Sequence, residues 1–181
     1  MIVSAIVAYA QTPPVPGMCS APASENRGRP GCYLSAELPV AAGQGDLYWH
    51  IRSFDDLRSA RAEAARHSVA TVVEAHGGTW LYVIGAEDEA IGSGASRAVI
   101  GPLRRPAEGP LTARFLESVF PPGMKTRVHS HPGPEAFYVV EGEQCMDAPT
   151  NQARSPPAEP IFWTEALTFR PRRADDATWW R

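Results

Sequence analysis

The stretch that decides the fold runs from Gly123 to Gly142 and reads GMKTRVHSHPGPEAFYVVEG. Successive side chains of a β-strand point to opposite faces, so His129 and His131 would share one face of a strand. Pro132-Gly133-Pro134 predicts a turn, because proline presets φ and glycine tolerates a tight bend. A second strand beginning at Glu135 would return its carboxylate to the face that carries the two histidines.

Two imidazoles and one carboxylate at this spacing form a compact set of metal ligands. Side chains two residues apart on a strand lie roughly 6–7 Å apart at their bases, and imidazole nitrogens bind metals at about 2.0–2.1 Å. The two rings can therefore converge on one ion, with the carboxylate of Glu135 as a third ligand. This donor set suits a divalent transition metal (Fe, Mn, Ni or Zn) and leaves coordination positions open.

The same stretch resembles the first conserved motif of the cupins, G-x5-H-x-H-x3-E-x6-G, and matches it at every fixed position. The resemblance covers about twenty residues directly and, more loosely, the β-rich run 111–142. It implies a mainly β fold built on a small antiparallel β-barrel, or jelly roll. It also implies that His129, His131 and Glu135 are the metal ligands and that the two motif glycines lie in turns.

The chain departs from the cupin pattern after this motif. Cupins usually carry a second motif downstream, whose histidine is the fourth metal ligand. This chain has no histidine after residue 131, since its five histidines are His50, His67, His76, His129 and His131. Three arrangements are open: three protein ligands with additional water, recruitment of His50 or His76 as fourth ligand, or a degenerate site.

Two classes of function follow from the resemblance. The first is a metal-dependent cupin enzyme, an oxygenase or isomerase that acts on a small polar substrate in the barrel mouth. The second is a non-catalytic small-molecule-binding or structural barrel, in which the motif only supports the fold. Nothing outside the motif marks a catalytic acid, base or nucleophile.

Length and composition limit the class of protein. The chain has 181 residues, which suits one domain with an appendage, and a formal net charge of −3. It shows neither a basic stripe nor a basic helix, so we expect no nucleic-acid or anionic-membrane partner. No stretch reaches the ~18 consecutive apolar residues that a membrane span requires.

Residues 1–30 are interpreted as a truncated signal peptide and a flexible lead-in. The first ten residues, MIVSAIVAYA, form an apolar run that ends in the cleavage pattern Ala8-Tyr9-Ala10. Because no Lys or Arg precedes Arg27, the competing interpretation is an apolar N-terminal strand of a cytoplasmic protein. We favour the signal, and hence an exported protein.

Cys19 and Cys32 are then the easiest disulfide pair, with three unpaired thiols as the alternative.

Residues 31–106 are predicted to form an α+β subdomain of a strand, a helix and two more strands. The strands are predicted over 46–52, 70–75 and 79–84. Ser53 and Asp56 indicate a capping box that begins the helix. The hairpin turn 76–78 is expected to leave His76 exposed, whereas His50 is expected to be a core or edge histidine. The subdomain would cover a barrel face, lengthen the sheet or form a homodimer contact.

Residues 107–153 are predicted to be the barrel core, with strands over 111–120, 124–131 and 135–140. Residues 154–181 form an atypical tail. All 15 glycines lie within residues 1–142, although the closing strands of a barrel need tight turns. The barrel is therefore expected to be incomplete at its C-terminal end. A slip of the reading frame near 150–155 and a genuine divergent tail are both open.

Overall fold

The computed structural model describes residues 2–9, 19–26, 28–105, 109–124, 133–148, 151–155 and 160–163. The protein is mainly β, with one α-helix in this part of the chain, α1 (Leu57–Ala64). The strands are β1 (Ile2–Tyr9), β2 (Ala21–Pro22), β3 (Gly31–Val40), β4 (Leu47–Phe54), β5 (Ala70–Ala75), β6 (Gly78–Gly85), β7 (Ala95–Leu103), β8 (Leu111–Val119), β9 (Glu135–Val139), β10 (Gln144–Ala148), β11 (Asn151–Ser155) and β12 (Pro160–Trp163).

The strands form two antiparallel-rich sheets and one hairpin. The first sheet has six strands in the order β12-β9-β1-β8-β3-β2, and the second has four in the order β5-β6-β4-β7. Strands β10 and β11 form the separate hairpin. Within the described residues no strand pairing joins the two sheets, so the architecture is that of a two-layer β-sandwich. Closure into a jelly-roll barrel stays a prediction.

The core lies between the two sheets and is built around three aromatic rings. Phe115 of β8 stacks on Tyr82 of β6, with ring centroids 5.7 Å apart. Trp49 of β4 meets the edge of Tyr82 at 5.5 Å. Because the three side chains come from both sheets and are at most 1% exposed, they hold the two layers together.

The outer face of the four-stranded sheet is covered by α1. Leu81 and Val83 alternate with the core residues of β6 and point away from the six-stranded sheet. Ala64 of the helix and Ile91 of the loop between β6 and β7 pack in the same cluster. The order of the layers is therefore α1, then the four-stranded sheet, then the six-stranded sheet.

Most of the predicted strands are confirmed within a few residues. The strands predicted over 46–52, 70–75, 79–84, 111–120 and 135–140 correspond to β4, β5, β6, β8 and β9. The hairpin turn is confirmed as well, since His76 and Gly77 have φ values of 54° and 72°. Positive φ at both central positions is what a type I′ turn requires. The strand predicted over 124–131 lies almost wholly outside the described residues.

The predicted start of the helix is wrong by one turn. Ser53 belongs to β4, and the N-cap is Asp56, whose carboxylate accepts a hydrogen bond from the Ser59 amide at 2.9 Å. Pairing of Ser53 with Trp80 and Ala95 on the neighbouring strands extends β4 beyond the apparent capping box. Sheet pairing overrides the local signal here.

The N-terminal apolar run forms strand β1. It lies between β8 and β9 and is paired with both in antiparallel register. The conformation of this run is therefore that of a strand, as one of the two interpretations of the sequence expected. Whether the run is also part of a signal peptide stays a prediction. No helix in the described part of the chain is long and apolar enough to cross a membrane.

A disulfide joins Cys19 to Cys32, as the sequence indicated, with their Cα atoms 5.1 Å apart. It fixes the lead-in segment beside β3, where Leu34 and Leu116 pack against the two cysteines on the outer face of the six-stranded sheet. Cys145 lies outside this bridge and is exposed. The bridge is weakly compatible with export, and localisation stays a prediction.

Removing the central aromatic ring should cost far more stability than trimming an exposed apolar side chain. We expect Phe115→Ala to lower the free energy of unfolding by about 3–5 kcal/mol, because it deletes a fully buried ring between the sheets. Val99→Ala, at a side chain that is 47% exposed, should change it by less than about 0.5 kcal/mol. Urea unfolding monitored by circular dichroism measures both, and equal losses would contradict the assigned core.

Reduction of the disulfide should destabilise the protein. The bridge spans 13 residues, and a loop of about this size is worth about 3 kcal/mol through restriction of the unfolded chain. The double variant Cys19→Ser/Cys32→Ser should unfold at lower urea concentration and no longer respond to dithiothreitol. Cys145→Ser is the matched control and should keep the full response. A wild-type protein that is indifferent to reductant would show that the bridge does not form.

Candidate functional site

Glu135 is the one predicted metal ligand that the structure describes. It is the first residue of β9 and is 5% exposed. Gly133 and Pro134, which precede it, are also buried. The last two residues before β9 are therefore already in the interior of the protein. His129 and His131 lie on the same connection, outside the described residues.

Strand alternation fixes the face of the sheet on which Glu135 lies. Ala136 and Tyr138 belong to the core between the sheets, and Tyr138 lies 6.3 Å from Trp80 of the opposite layer. Glu135 and Phe137 alternate with them and so lie on the outer face of the six-stranded sheet. Both are nonetheless buried, at 5% and 8% exposure. The surroundings of Glu135 are therefore withdrawn from water, although they are not the core of the sandwich.

His50 is the buried core histidine that the sequence predicted. It is 3% exposed, and its Nε2 lies 2.7 Å from the carbonyl oxygen of Ala86. It pairs in register with Val83, on the face of the four-stranded sheet that α1 covers. His50 and Glu135 therefore lie on the outer faces of different sheets, with both sheets between them. Because stacked sheets are about 10 Å apart, the two side chains are more than about 10 Å from each other. Recruitment of His50 as fourth ligand is excluded by this placement.

The expectation that His76 is exposed is wrong. Both of its ring nitrogens are buried, and neither has a hydrogen-bond partner in the described part of the chain. Burial lowers the pKa of His76 below its usual 6.5, although Glu117 and Glu141 oppose the shift. His76 is partly buried although its turn neighbour Gly77 is exposed, a difference that turn chemistry cannot reveal. Because His76 lies by the inner face of the six-stranded sheet, with Glu117, it is not placed to join Glu135.

A cluster of polar groups between α1 and the loop 86–94 was missed by the sequence analysis. Glu63 is 4% exposed and accepts hydrogen bonds from the Gly92 amide at 2.8 Å and the Ser93 hydroxyl at 2.7 Å. His67 lies between Glu63 and Glu89, with its ring nitrogens 3.4 and 2.8 Å from their carboxylates. The available signal was a glutamate and a histidine four residues apart at the end of the predicted helix, although His67 lies just beyond the observed end of α1.

This cluster fastens the loop to the helix and is not arranged for nucleophilic catalysis. The Ser93 hydroxyl donates to a carboxylate and has no imidazole acceptor among its contacts. The Ser93 hydrogen bond, followed by those from Gly92 and His67, holds the pKa of Glu63 below its usual 4.5 in spite of burial. The ionised carboxylate is therefore stabilised in the folded state.

Within the described residues no group of three or more His, Cys, Asp or Glu side chains is arranged to hold a metal ion. A metal at Glu135 would therefore depend on the two histidines of the preceding connection. The chain matches no protein-family model, and no curated protein or solved structure is significantly similar to it.

The Glu63 cluster should give the protein a characteristic sensitivity to acid. Because the folded-state pKa of Glu63 lies below 4.5, its ionised form stabilises the fold above that pH and loses this effect as pH falls through the lowered value. Glu63→Gln should unfold more easily at about pH 7 and lose less further stability than wild type on going to about pH 3. Thermal unfolding at both pH values measures this, with the exposed Asp88→Asn as control. If all three proteins lose the same stability between the two pH values, the ionised Glu63 carboxylate does not stabilise the fold.

Proposed function

We propose that the protein is a cupin-type β-sandwich that binds a divalent transition metal through His129, His131 and Glu135. The observation that carries the proposal is the burial of Glu135 at the end of the connection that contains both histidines. Buried carboxylates are tolerated where they are hydrogen-bonded, paired with a cation or coordinated to a metal. A carboxylate that is 5% exposed fits the role of the anionic ligand.

The length of the connection supports the same donor set. His131 precedes Glu135 by four residues, so their Cα atoms lie within about 14 Å of each other. The intervening Pro132-Gly133-Pro134 favours a bend, which would shorten this distance. His129 is two residues further away and would share a face with His131 on an extended segment.

A site with three protein ligands is the arrangement we propose, since His50 and His76 lie elsewhere in the fold. Such a metal would act as a Lewis acid and offer open positions to a small polar substrate. Glu135 would supply the one negative charge among the ligands and, through its burial, a dry environment. An oxygenase or isomerase of cupin type is the enzyme class that we propose.

The two-sheet architecture is compatible with a jelly roll, and we propose that the sandwich closes in this way. The metal would then lie with Glu135 on the outer face of the six-stranded sheet, and not in the barrel interior that the resemblance to cupins implies. We also propose export to an oxidising compartment, which the Cys19–Cys32 disulfide supports. Neither proposal depends on the identity of the metal.

Metal titration tests the ligand set directly. Wild-type protein purified without chelator should bind Zn²⁺ or Mn²⁺ at about pH 7.5 and more weakly at about pH 5.5, because protons compete for the imidazoles. Glu135→Gln should weaken binding by more than about tenfold, and the double variant His129→Ala/His131→Ala should abolish it. Isothermal titration calorimetry provides the affinities.

Glu143→Gln is the matched control, because it removes an exposed carboxylate eight positions further along the chain. It should bind the metal as wild type does. If all variants bind equally, the cluster is not the metal site. If wild type binds neither ion, the alternative function, a non-catalytic small-molecule-binding or structural barrel, replaces this one.

A further inference from the structure

Residues 19–26, which we call the strap, cross the β2–β3 edge of the six-stranded sheet from its outer face to its inner face. Cys19, at one end, packs in the apolar cluster on the outer face. β2 lies within the strap, is the last strand of the sheet and pairs in parallel with β3. Asn26, at the other end, donates a hydrogen bond from Nδ2 to Oε2 of Glu117 at 3.2 Å. Because Glu117 lies two positions from Phe115 of the core, its carboxylate is on the inner face.

The strap has little packing of its own. None of its residues is buried, and its short 3₁₀ helix (Ala23–Glu25) contributes nothing to the core. Its parallel pairing with β3 extends over only two residues, Ala21 and Pro22. Segments with few buried apolar contacts open locally at a low cost in free energy. Packing and strand pairing therefore hold the strap only weakly.

The disulfide is the strongest restraint on the strap. It joins Cys19 covalently to Cys32 of β3. The other described restraints are hydrogen bonds, one from Nη2 of Arg114 to the carbonyl oxygen of Cys19 at 3.1 Å and one from Asn26 to Glu117. A single hydrogen bond adds little net stability, because water replaces it when the segment opens. The docked position of the strap therefore depends on the disulfide.

The disulfide is also accessible in the folded protein. Both cysteines are partly exposed, and they lie on the outer face of the sheet, away from the core between the layers. Thiol–disulfide exchange begins with the attack of a thiolate on one of the two sulfurs, so its rate depends on access to them. Exposed disulfides are accordingly the labile and regulatory ones. A reductant can reach this one without prior unfolding of the sandwich.

We propose that the Cys19–Cys32 disulfide is a redox latch, which keeps the strap docked when oxidised and releases it when reduced. A dithiol reductant supplies the two electrons. One of its thiolates attacks a sulfur of the disulfide and releases the other cysteine as a thiolate, which takes up a proton. The second thiol of the reductant, as thiolate, then displaces the remaining cysteine. The products are two cysteine thiols and the reductant in its disulfide form.

Release of the strap changes one edge of the protein and leaves the sandwich intact. It uncovers the edge of β3 and removes Asn26 from Glu117, which keeps its hydrogen bond from the Ser35 hydroxyl at 2.7 Å. β3 itself remains paired with β8 from Gly31 to Val40. The latch is also independent of the proposed metal centre, because β1 and β8 lie between β3 and the strand of Glu135.

Hydrogen–deuterium exchange of the full chain, with and without dithiothreitol, tests the latch. Reduction should speed exchange in peptides that cover residues 19–26 by about tenfold or more, whereas peptides from the central strand β6 should keep their rates. Cys19→Ser/Cys32→Ser should exchange like reduced wild type in both conditions. Cys145→Ser is the matched control and should respond to dithiothreitol as wild type does, because its thiol lies outside the disulfide.

Asn26→Ala provides a second variant that keeps the latch and removes the anchor on the inner face. When oxidised, it should exchange faster than wild type near residue 26 only, and reduction should still speed exchange from residue 19 onward. Unchanged exchange of residues 19–26 on reduction of wild type would overturn the proposal. So would an equal acceleration in β6, since the disulfide would then support the whole fold instead of latching the strap. Both outcomes are measured on wild type and do not depend on the folding of the cysteine variant.

Discussion

The stacking of Phe115 on Tyr82 is the contact on which the rest of the structure depends, because it joins the two sheets at the centre of the sandwich. Each ring comes from a different layer, and Trp49 closes the group from a third strand. The largest apolar cluster lies between the two sheets, so each sheet buries its inner face against the other. Buried polar groups lie on both sides of each sheet. Glu117 lies between the sheets, whereas His50 and Glu135 lie on the outer faces of the four-stranded and six-stranded sheets.

Glu117 shows how the sandwich tolerates a charge two positions from its central ring. The pairing of β3 with β8 shifts between Leu34 and Ala36, which leaves Ser35 as an extra residue in β3. A bulge of this kind re-aims a side chain, and here the Ser35 hydroxyl reaches the Glu117 carboxylate. Burial raises the pKa of Tyr82, and the negative charge of Glu117 raises it further. The aromatic core and the buried carboxylate of Glu117 are therefore neighbours between the sheets.

Much of the strand framework was predictable, because strands such as β5 and β6 are marked by branched and aromatic residues and by the His76-Gly77 turn between them. What the sequence could not supply was the set of contacts between distant segments. The partial burial of His76 is not encoded in its turn sequence, and the N-cap at Asp56 depends on how far sheet pairing extends β4. Glu117 had a usable signal, a carboxylate at an inward position of an alternating strand. The proposed ligands were found by spacing, and spacing alone does not fix the face on which Glu135 lies.

The position of β1 has a consequence for the order in which the protein can assemble. Its partners β8 and β9 begin more than 100 residues further along the chain, so β1 cannot pair with them until they have been synthesised. Such non-local pairing makes folding slow, since loop closure precedes any gain from contacts. The four-stranded sheet, by contrast, is built from neighbours in sequence and can form early. During that interval the edges of an apolar strand are unpaired, which favours association between incompletely folded chains.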